Sequence, residues 1–175
     1  MIISLIGYRG TGKSTLAQGL ATALHWNMID TDQALQDKLG MTIHDMFTQH
    51  GEQFFRDHEA ELIASLLKSD ENLILSTGGG AILREETRQK LSHQSQVIWL
   101  HATAEVIHER LANDSQTLLN RPALTNLPPL AEISHLLEVR DPLYTETAHI
   151  IIDTNHQSAD EILQDALLQL FPKTL

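Results

Sequence analysis

The 175-residue chain has no cysteine. Disulfides, thiol nucleophiles and thiolate metal sites are therefore excluded, and a cytoplasmic location is the default expectation. Basic residues are scarce as well: 12 Lys and Arg against 23 Asp and Glu leave a net charge of -11. Nucleic acid is not an expected partner, because its binders present basic faces to phosphate. No stretch approaches the ~18 consecutive apolar residues of a membrane span, so no membrane partner is expected. The opening MIISLIG lacks a basic leader and runs into a glycine loop, as a first buried strand does and a secretion signal does not. The 10 histidines show neither the i, i+4 pairing nor the Cys/His spacing of a metal site. Internal repeats and low-complexity tracts are also missing.

What remains is an alternation of short apolar runs with helical patterns, the signature of an α/β fold with a parallel sheet. Strands are predicted over residues 2–6, 27–29, 73–76, 97–100 and 149–152. A helix is predicted over 13–25, with Leu16, Leu20, Ala23 and Leu24 on one face, and the region 31–68 reads as three helices broken near Gly40 and Gly51. Residues 112–129, ANDSQTLLNRPALTNLPP, are polar and long for a connection, which is the pattern of a lid; a helix resumes over 130–138. Hydrophobic content of 42% and charged content of 20% in a chain of this size suit one globular domain over 1–175.

The strongest motif is GYRGTGKST, residues 7–15, which fits G-x-x-x-x-G-K-[ST] between a predicted strand and a predicted helix. Its glycines let successive N–H groups turn inward around phosphate oxygens, at a helix start that favours negative charge. Lys13 is expected to reach the β- and γ-phosphates of a nucleotide, and Ser14 to ligate Mg²⁺. The nearest acids at a strand end are Asp30 and Asp32 in MIDTD, whereas the 73–76 strand runs into STGGG with no acid. Strand carboxyl ends face the ligand crevice in such sheets. One aspartate can complete a Mg²⁺ shell and the other hold an acceptor hydroxyl, as a kinase requires; a local capping bond from Thr31 or Asp32 is compatible with this.

Positive charge is concentrated at places that this reading singles out: Arg9 and Lys13 in the loop, Arg56 after GEQFF, Arg110 before the lid, Arg121 within it and Arg140 after it. Guanidinium groups match carboxylate and phosphate oxygens in a two-pronged geometry. Arg56 and Arg140 are candidates to converge on one carboxylate, and Arg121 to neutralise charge on the transferring phosphoryl group.

Taken together, GYRGTGKST, DTD at 30–32, GEQFFRDHEAEL at 51–62, STGGGAIL at 76–83, NRPAL at 120–124 and RDPLYTETAHIIIDT at 140–154 resemble the shikimate kinase family, in its order and over nearly the whole chain. Within it, Arg9, the long lid and AHIIID look most like the second of the two enterobacterial types. The resemblance implies a P-loop, nucleoside-monophosphate-kinase-like three-layer sandwich. Its five-stranded parallel sheet would run in the order 2-3-1-4-5, with helices on both faces, a mobile lid over about 112–128 and a shikimate-binding region over about 31–62. It implies transfer of the γ-phosphoryl group of ATP to the 3-hydroxyl of shikimate, with Mg²⁺; the size of the chain and the lack of an obvious exposed apolar seam favour a monomer.

Carried over residue by residue, Gly10, Thr11, Gly12, Lys13, Ser14 and Thr15 would cradle the phosphates, and Ser14 and Asp30 would support Mg²⁺. Asp32 would bind the shikimate hydroxyls and orient the 3-hydroxyl. Arg56 and Arg140 would clamp the carboxylate, and Gly79 would offer its N–H to the substrate, Gly78 and Gly80 being readable as a plain turn. Phe47 and Phe55 would wall the acceptor pocket or serve as core aromatics, and Glu59 would orient Arg56. Arg121 would meet the ATP phosphates, Arg110 and Gln157 would flank the adenine, and Arg9 is assigned phosphate contact alone. A related small-molecule kinase, such as one for gluconate, and a nucleotide-binding regulatory module without chemistry are the alternatives.

Overall fold

The apolar runs become strands β1 (Ile2–Ile6), β2 (Asn27–Asp30), β3 (Leu73–Ser76), β4 (Gln96–His101) and β5 (Ile150–Asp153) in this computed structural model, in which residues 1–113 and 127–172 are described. They pair in parallel in the order β2-β3-β1-β4-β5, as the resemblance implied. Among the described residues the helices are α1 (Lys13–Leu24), α2 (Thr31–Leu39), α3 (Ile43–Asp45), α4 (Gly51–Leu66), α5 (Glu85–Gln94), α6 (Ala104–Ala112), α7 (Pro129–Thr147) and α8 (Ala159–Leu170).

Successive strand residues point to opposite faces, so one apolar run feeds two cores. Ile3 and Leu5 of β1 pack with Leu16 and Leu20 of α1 and with Ile162 and Ala166 of α8. Ile2 and Ile6 face the other way, onto Ile63 of α4, Leu91 of α5 and Tyr144 of α7. This is the three-layer sandwich. Each fully buried Leu or Ile contributes ~1.5–3 kcal/mol, so the central strand anchors both layers.

Three boundaries differ from expectation for identifiable reasons. Helix α1 stops before the predicted His25, which adopts φ 57 and closes the helix with its N–H on Ala21 O. Gly40 (φ 65) and Gly51 (φ 84) do mark the breaks in the 31–68 region, but the middle piece is α3 followed by a π-helical turn, Met46–His50. Helix α7 is much longer than the predicted 130–138 and carries Pro142 inside it. Proline removes a helical N–H and crowds the carbonyl four residues back, a local cost to any helix that runs through it. Burial of Ile133, Arg140, Tyr144 and Thr147 along α7 offsets that cost, and the extension delivers Arg140 and Tyr144 to the glycines after β3.

The carboxyl ends of all five strands share one edge of the sheet, which gathers the loop after β1, Asp30 after β2, the glycines after β3 and Thr154 after β5. The predicted lid falls, for residues 114–126, outside the described residues, and Arg121 with it. Among the described residues no helix is long and apolar enough to cross a membrane.

Candidate active site

Bare backbone shapes the loop between β1 and α1. Gly7 (φ 138), Gly10 (φ 80) and Gly12 (φ 96) all lie in the left-handed region that only glycine adopts without strain. A Cβ on Gly7 would also come within 2.5 Å of Leu100 O, so this turn excludes any larger residue. Thr11 Oγ1 donates to Tyr8 O at 2.8 Å, and Lys13 Nζ donates to Gly7 O at 2.9 Å and Tyr8 O at 2.8 Å. The loop thus carries its own cation at the start of α1. Gly10, Thr11, Gly12, Lys13, Ser14 and Thr15 all line a cleft of about 750 Å³.

Asp30 divides its two oxygens between folding and chemistry. Oδ1 accepts from the N–H groups of Asp32 (3.0 Å) and Gln33 (3.2 Å), which caps α2. Oδ2 accepts from Ser14 Oγ at 3.2 Å, and Ser76 Oγ lies 3.4 Å from the same hydroxyl. Strand register explains this meeting, since Asp30 stands opposite Ser76 and Ser76 opposite Leu5. The sequence reading left one of the two aspartates as the cap, with a local hydrogen bond at Thr31 or Asp32; the structure gives the cap to Asp30, and Thr31 Oγ1 accepts from Gly78 N–H at 3.3 Å. Two hydroxyls and a carboxylate form an oxygen-only donor set beside a phosphate loop. That set fits Mg²⁺, which takes one or two carboxylates together with substrate phosphates.

A second cavity, of about 70 Å³, adjoins the cleft. Arg56 from α4, Arg140 from α7, Phe47, Phe55, Glu59 and the three glycines line it, so the two arginines do converge despite their separation in sequence. Arg56 is fixed on three sides: Nη1 donates to Glu59 Oε2 at 2.6 Å, Nε donates to Glu52 Oε1 at 3.2 Å, and its Cζ lies 5.0 Å from the centre of the Phe55 ring. Phe47 and Phe55 pack at 5.0 Å between centroids, so they are core aromatics and cavity wall at once. Burial pushes the Glu59 carboxyl above the usual carboxylate range, with Arg56 pulling the other way. Glu59 Oε1 is buried without a hydrogen-bond partner among the described residues.

The glycines after β3 are required by their neighbours. None of the three is among the residues with positive φ, so a left-handed turn does not explain them. A Cβ on Gly78 would lie 2.6 Å from Asp32 Oδ1 and 2.8 Å from Glu59 Oε1, and one on Gly80 would lie 2.3 Å from Arg56 Nη2. At Gly79 the added atom would press on the phosphate loop, 3.2 Å from Gly7 O and 3.3 Å from Arg9 N. The run leaves room for a carboxylate, the phosphate loop and a guanidinium in turn.

At the far end of the cleft, Arg110 bridges Thr154 and the phosphate loop: Nη2 donates to Thr154 O at 2.5 Å and Nη1 to Thr154 Oγ1 at 3.1 Å and Gly10 O at 3.5 Å. Gln157 lines the same end. Arg9 reaches Glu132 Oε1 of α7 at 3.2 Å, a partner that its assignment to phosphate did not foresee. Its Cζ and that of Arg140 lie 5.8 and 5.7 Å from the centre of the buried Tyr8 ring. Tyr8, Ser76 and Tyr144 are contributors that the sequence did not single out. Each is small or apolar enough to read as core, and only strand register and helix length reveal its place.

A phosphate loop on a five-stranded 2-3-1-4-5 sheet, opening onto an arginine-lined cavity, defines a P-loop phosphotransferase. The profile of the shikimate kinase family matches residues 9–171. A shikimate kinase of Enterococcus faecalis is 40% identical over 168 residues, covering 96% of this chain and 97% of that protein. The structure of Acinetobacter baumannii shikimate kinase in complex with shikimate superposes with a TM-score of 0.91 at 34% identity, covering 99% of this chain and 94% of that one. A gluconokinase of Sinorhizobium meliloti, at TM-score 0.60 and 20% identity, shares the fold alone. The chain belongs to the shikimate kinase family, ATP-dependent kinases that act on a hydroxyl of shikimate.

Proposed function

We propose that the chain transfers the γ-phosphoryl group of ATP to the 3-hydroxyl of shikimate, with the cleft holding ATP and the smaller cavity holding shikimate. The observation that carries this reading is where the two meet: Arg9, Asp32, Ile43, Gly78 and Gly79 line both. Only Asp32 among these can accept a proton from a hydroxyl, and it stands at the passage through which a phosphoryl group must pass.

Arg56 and Arg140 bind the shikimate carboxylate, Phe47 and Phe55 wall the ring, and Gly79 faces it with backbone. Asp32 orients the 3-hydroxyl and takes its proton as the hydroxyl oxygen bonds to the γ-phosphorus. The bond from that phosphorus to the bridging oxygen breaks, and ADP leaves. Gly10 to Thr15 cradle the phosphates, and Arg110 and Gln157 flank the adenine. Ser14 and Asp30 would hold Mg²⁺, which when bound would neutralise charge on the ATP phosphates. Positioning and charge carry the catalysis, since phosphoryl transfer asks little covalent help of the protein. The unit is a single domain over 1–175 that works as a cytoplasmic monomer. A coupled ADP-release assay with shikimate, with gluconate and without acceptor tests the reading. Release that requires shikimate supports it; release with gluconate, or equally without acceptor, overturns it.

Two substitutions probe the roles further. Arg121, proposed from the sequence alone to neutralise the transferring group, is expected to show its effect in turnover: Arg121→Ala should lower kcat roughly 10³-fold, as loss of a phosphate-facing arginine does, with a small change in shikimate KM. Equal losses in both, measured by steady-state kinetics, would remove it from that role. Glu59→Gln should raise the shikimate KM several-fold by loosening Arg56. Because the folded Glu59 carboxyl titrates above its ordinary value, the folded chain holds that proton more tightly than the unfolded one. The parent should therefore gain stability relative to Glu59→Gln as pH falls through the folded value and lose it as pH rises, read from melting temperatures across acid pH.

A further inference from the structure

The glycine run is held from behind by a group that lines neither cavity. Tyr144 Oη donates to Gly79 O at 2.6 Å, and Arg140 Nη1 reaches the same carbonyl at 3.4 Å. The tyrosine is 1% exposed, and its ring stacks on Trp99 with centroids 5.6 Å apart and planes 21° apart. Packing on the strand core therefore fixes the ring, and the ring fixes where its hydroxyl points. Burial pushes the phenol pKa up, so the group stays a donor.

One carbonyl held in this way sets a whole peptide plane. Among the described residues no peptide is cis, and in a trans unit the C=O and the following N–H point in opposite directions. Gly79 O is turned toward α7, so the Gly80 N–H is turned away from it. Gly80 lies against the guanidinium of Arg56 and lines the acceptor cavity. Neither the Gly79 nor the Gly80 N–H has an acceptor among the described residues.

We infer that Tyr144 is a positioning residue for the acceptor: by holding the Gly79 carbonyl it aims the Gly80 N–H into the shikimate cavity and keeps the run at a fixed distance from Arg56. The inference rests on the assignment of that cavity to shikimate. Tyr144 touches no substrate and acts through the peptide it orients.

Tyr144→Phe tests it, since the ring and its stacking stay and one donor is lost. Shikimate KM, and shikimate Kd measured by calorimetry without nucleotide, should rise about three- to tenfold, the range for one hydrogen bond. kcat and the KM for ATP should stay within about twofold, the pattern of a lost ground-state contact. Thr147→Val is the control: it removes another buried hydroxyl from α7, one bonded to Leu143 O, and should leave shikimate KM unchanged. An unchanged shikimate KM in Tyr144→Phe, a parallel rise for ATP, the same rise in Thr147→Val or failure of Tyr144→Phe to fold would each overturn the inference. Arg140→Lys separates the two levels. If it weakens shikimate binding while Tyr144→Phe does not, only the tyrosine's role falls; if neither does, the cavity assignment falls and takes the tyrosine with it.

Discussion

Asp32→Asn is expected to bind ATP nearly as the parent does and to transfer its phosphoryl group about 10²- to 10⁴-fold more slowly, the usual contribution of a positioned proton acceptor. The substitution is close to isosteric, and the backbone it sits on is held independently, because Asp32 N–H donates to Asp30 Oδ1 at 3.0 Å. The start of α2 should therefore stay in place, with Ser14 and Asp30 undisturbed at 3.2 Å. What changes is the ability to take a proton. An amide oxygen still accepts a hydrogen bond from a hydroxyl, so shikimate KM should move far less than kcat. Single-turnover kinetics at saturating shikimate, with ATP affinity from calorimetry, give the two readouts. A kcat within about tenfold of the parent would mean that Asp32 only holds the hydroxyl and that the proton leaves another way.

Much of this site was legible in the chain because its strongest signals are local. The phosphate loop is contiguous, its glycines are demanded by backbone geometry, and the strand before it and helix after it read from periodicity. Asp30 and Asp32 were legible as strand-end acids, and Arg56 with Glu59 as a helical i, i+3 pair. Contacts created by register and packing stayed hidden. Nothing in STGGG announces that Ser76 stands opposite Asp30, and nothing in MIDTD says which of three polar residues caps α2. Helix α7 shows the same limit from the other side: Pro142 is a local stop signal, and a buried face overrides it. That override places Tyr144 beneath Gly79. The glycines themselves were read as backbone for the substrate or as a turn, whereas their missing side chains answer to Asp32, the phosphate loop and Arg56.

Gly80→Ala should therefore raise the shikimate KM by about 10- to 100-fold, the range for losing one charge-assisted hydrogen bond, and do so without touching a residue that carries charge. Gly80 sits at φ -106 and ψ 4, a conformation open to alanine, so the backbone itself is not strained. The added methyl would lie 2.3 Å from Arg56 Nη2, 2.6 Å from Nη1 and 2.7 Å from Cζ. A guanidinium is the end of a flexible side chain, and it will swing aside before the 3₁₀ turn Ala81–Leu83 moves. In doing so it gives up the 2.6 Å bond to Glu59 Oε2 and leaves a carboxyl buried without its cation. Some stability should be lost with it, seen as a lower melting temperature that recovers partly at acid pH, where Glu59 is neutral. ATP affinity should not change, since the cleft lining does not include Gly80. The decisive comparison is a double-mutant cycle. In an Arg56→Ala background there is no guanidinium to displace, and Gly80→Ala should add less than about twofold to the shikimate KM. If it instead adds its full effect there, the glycine serves the substrate directly and Arg56 is not the reason it is bare.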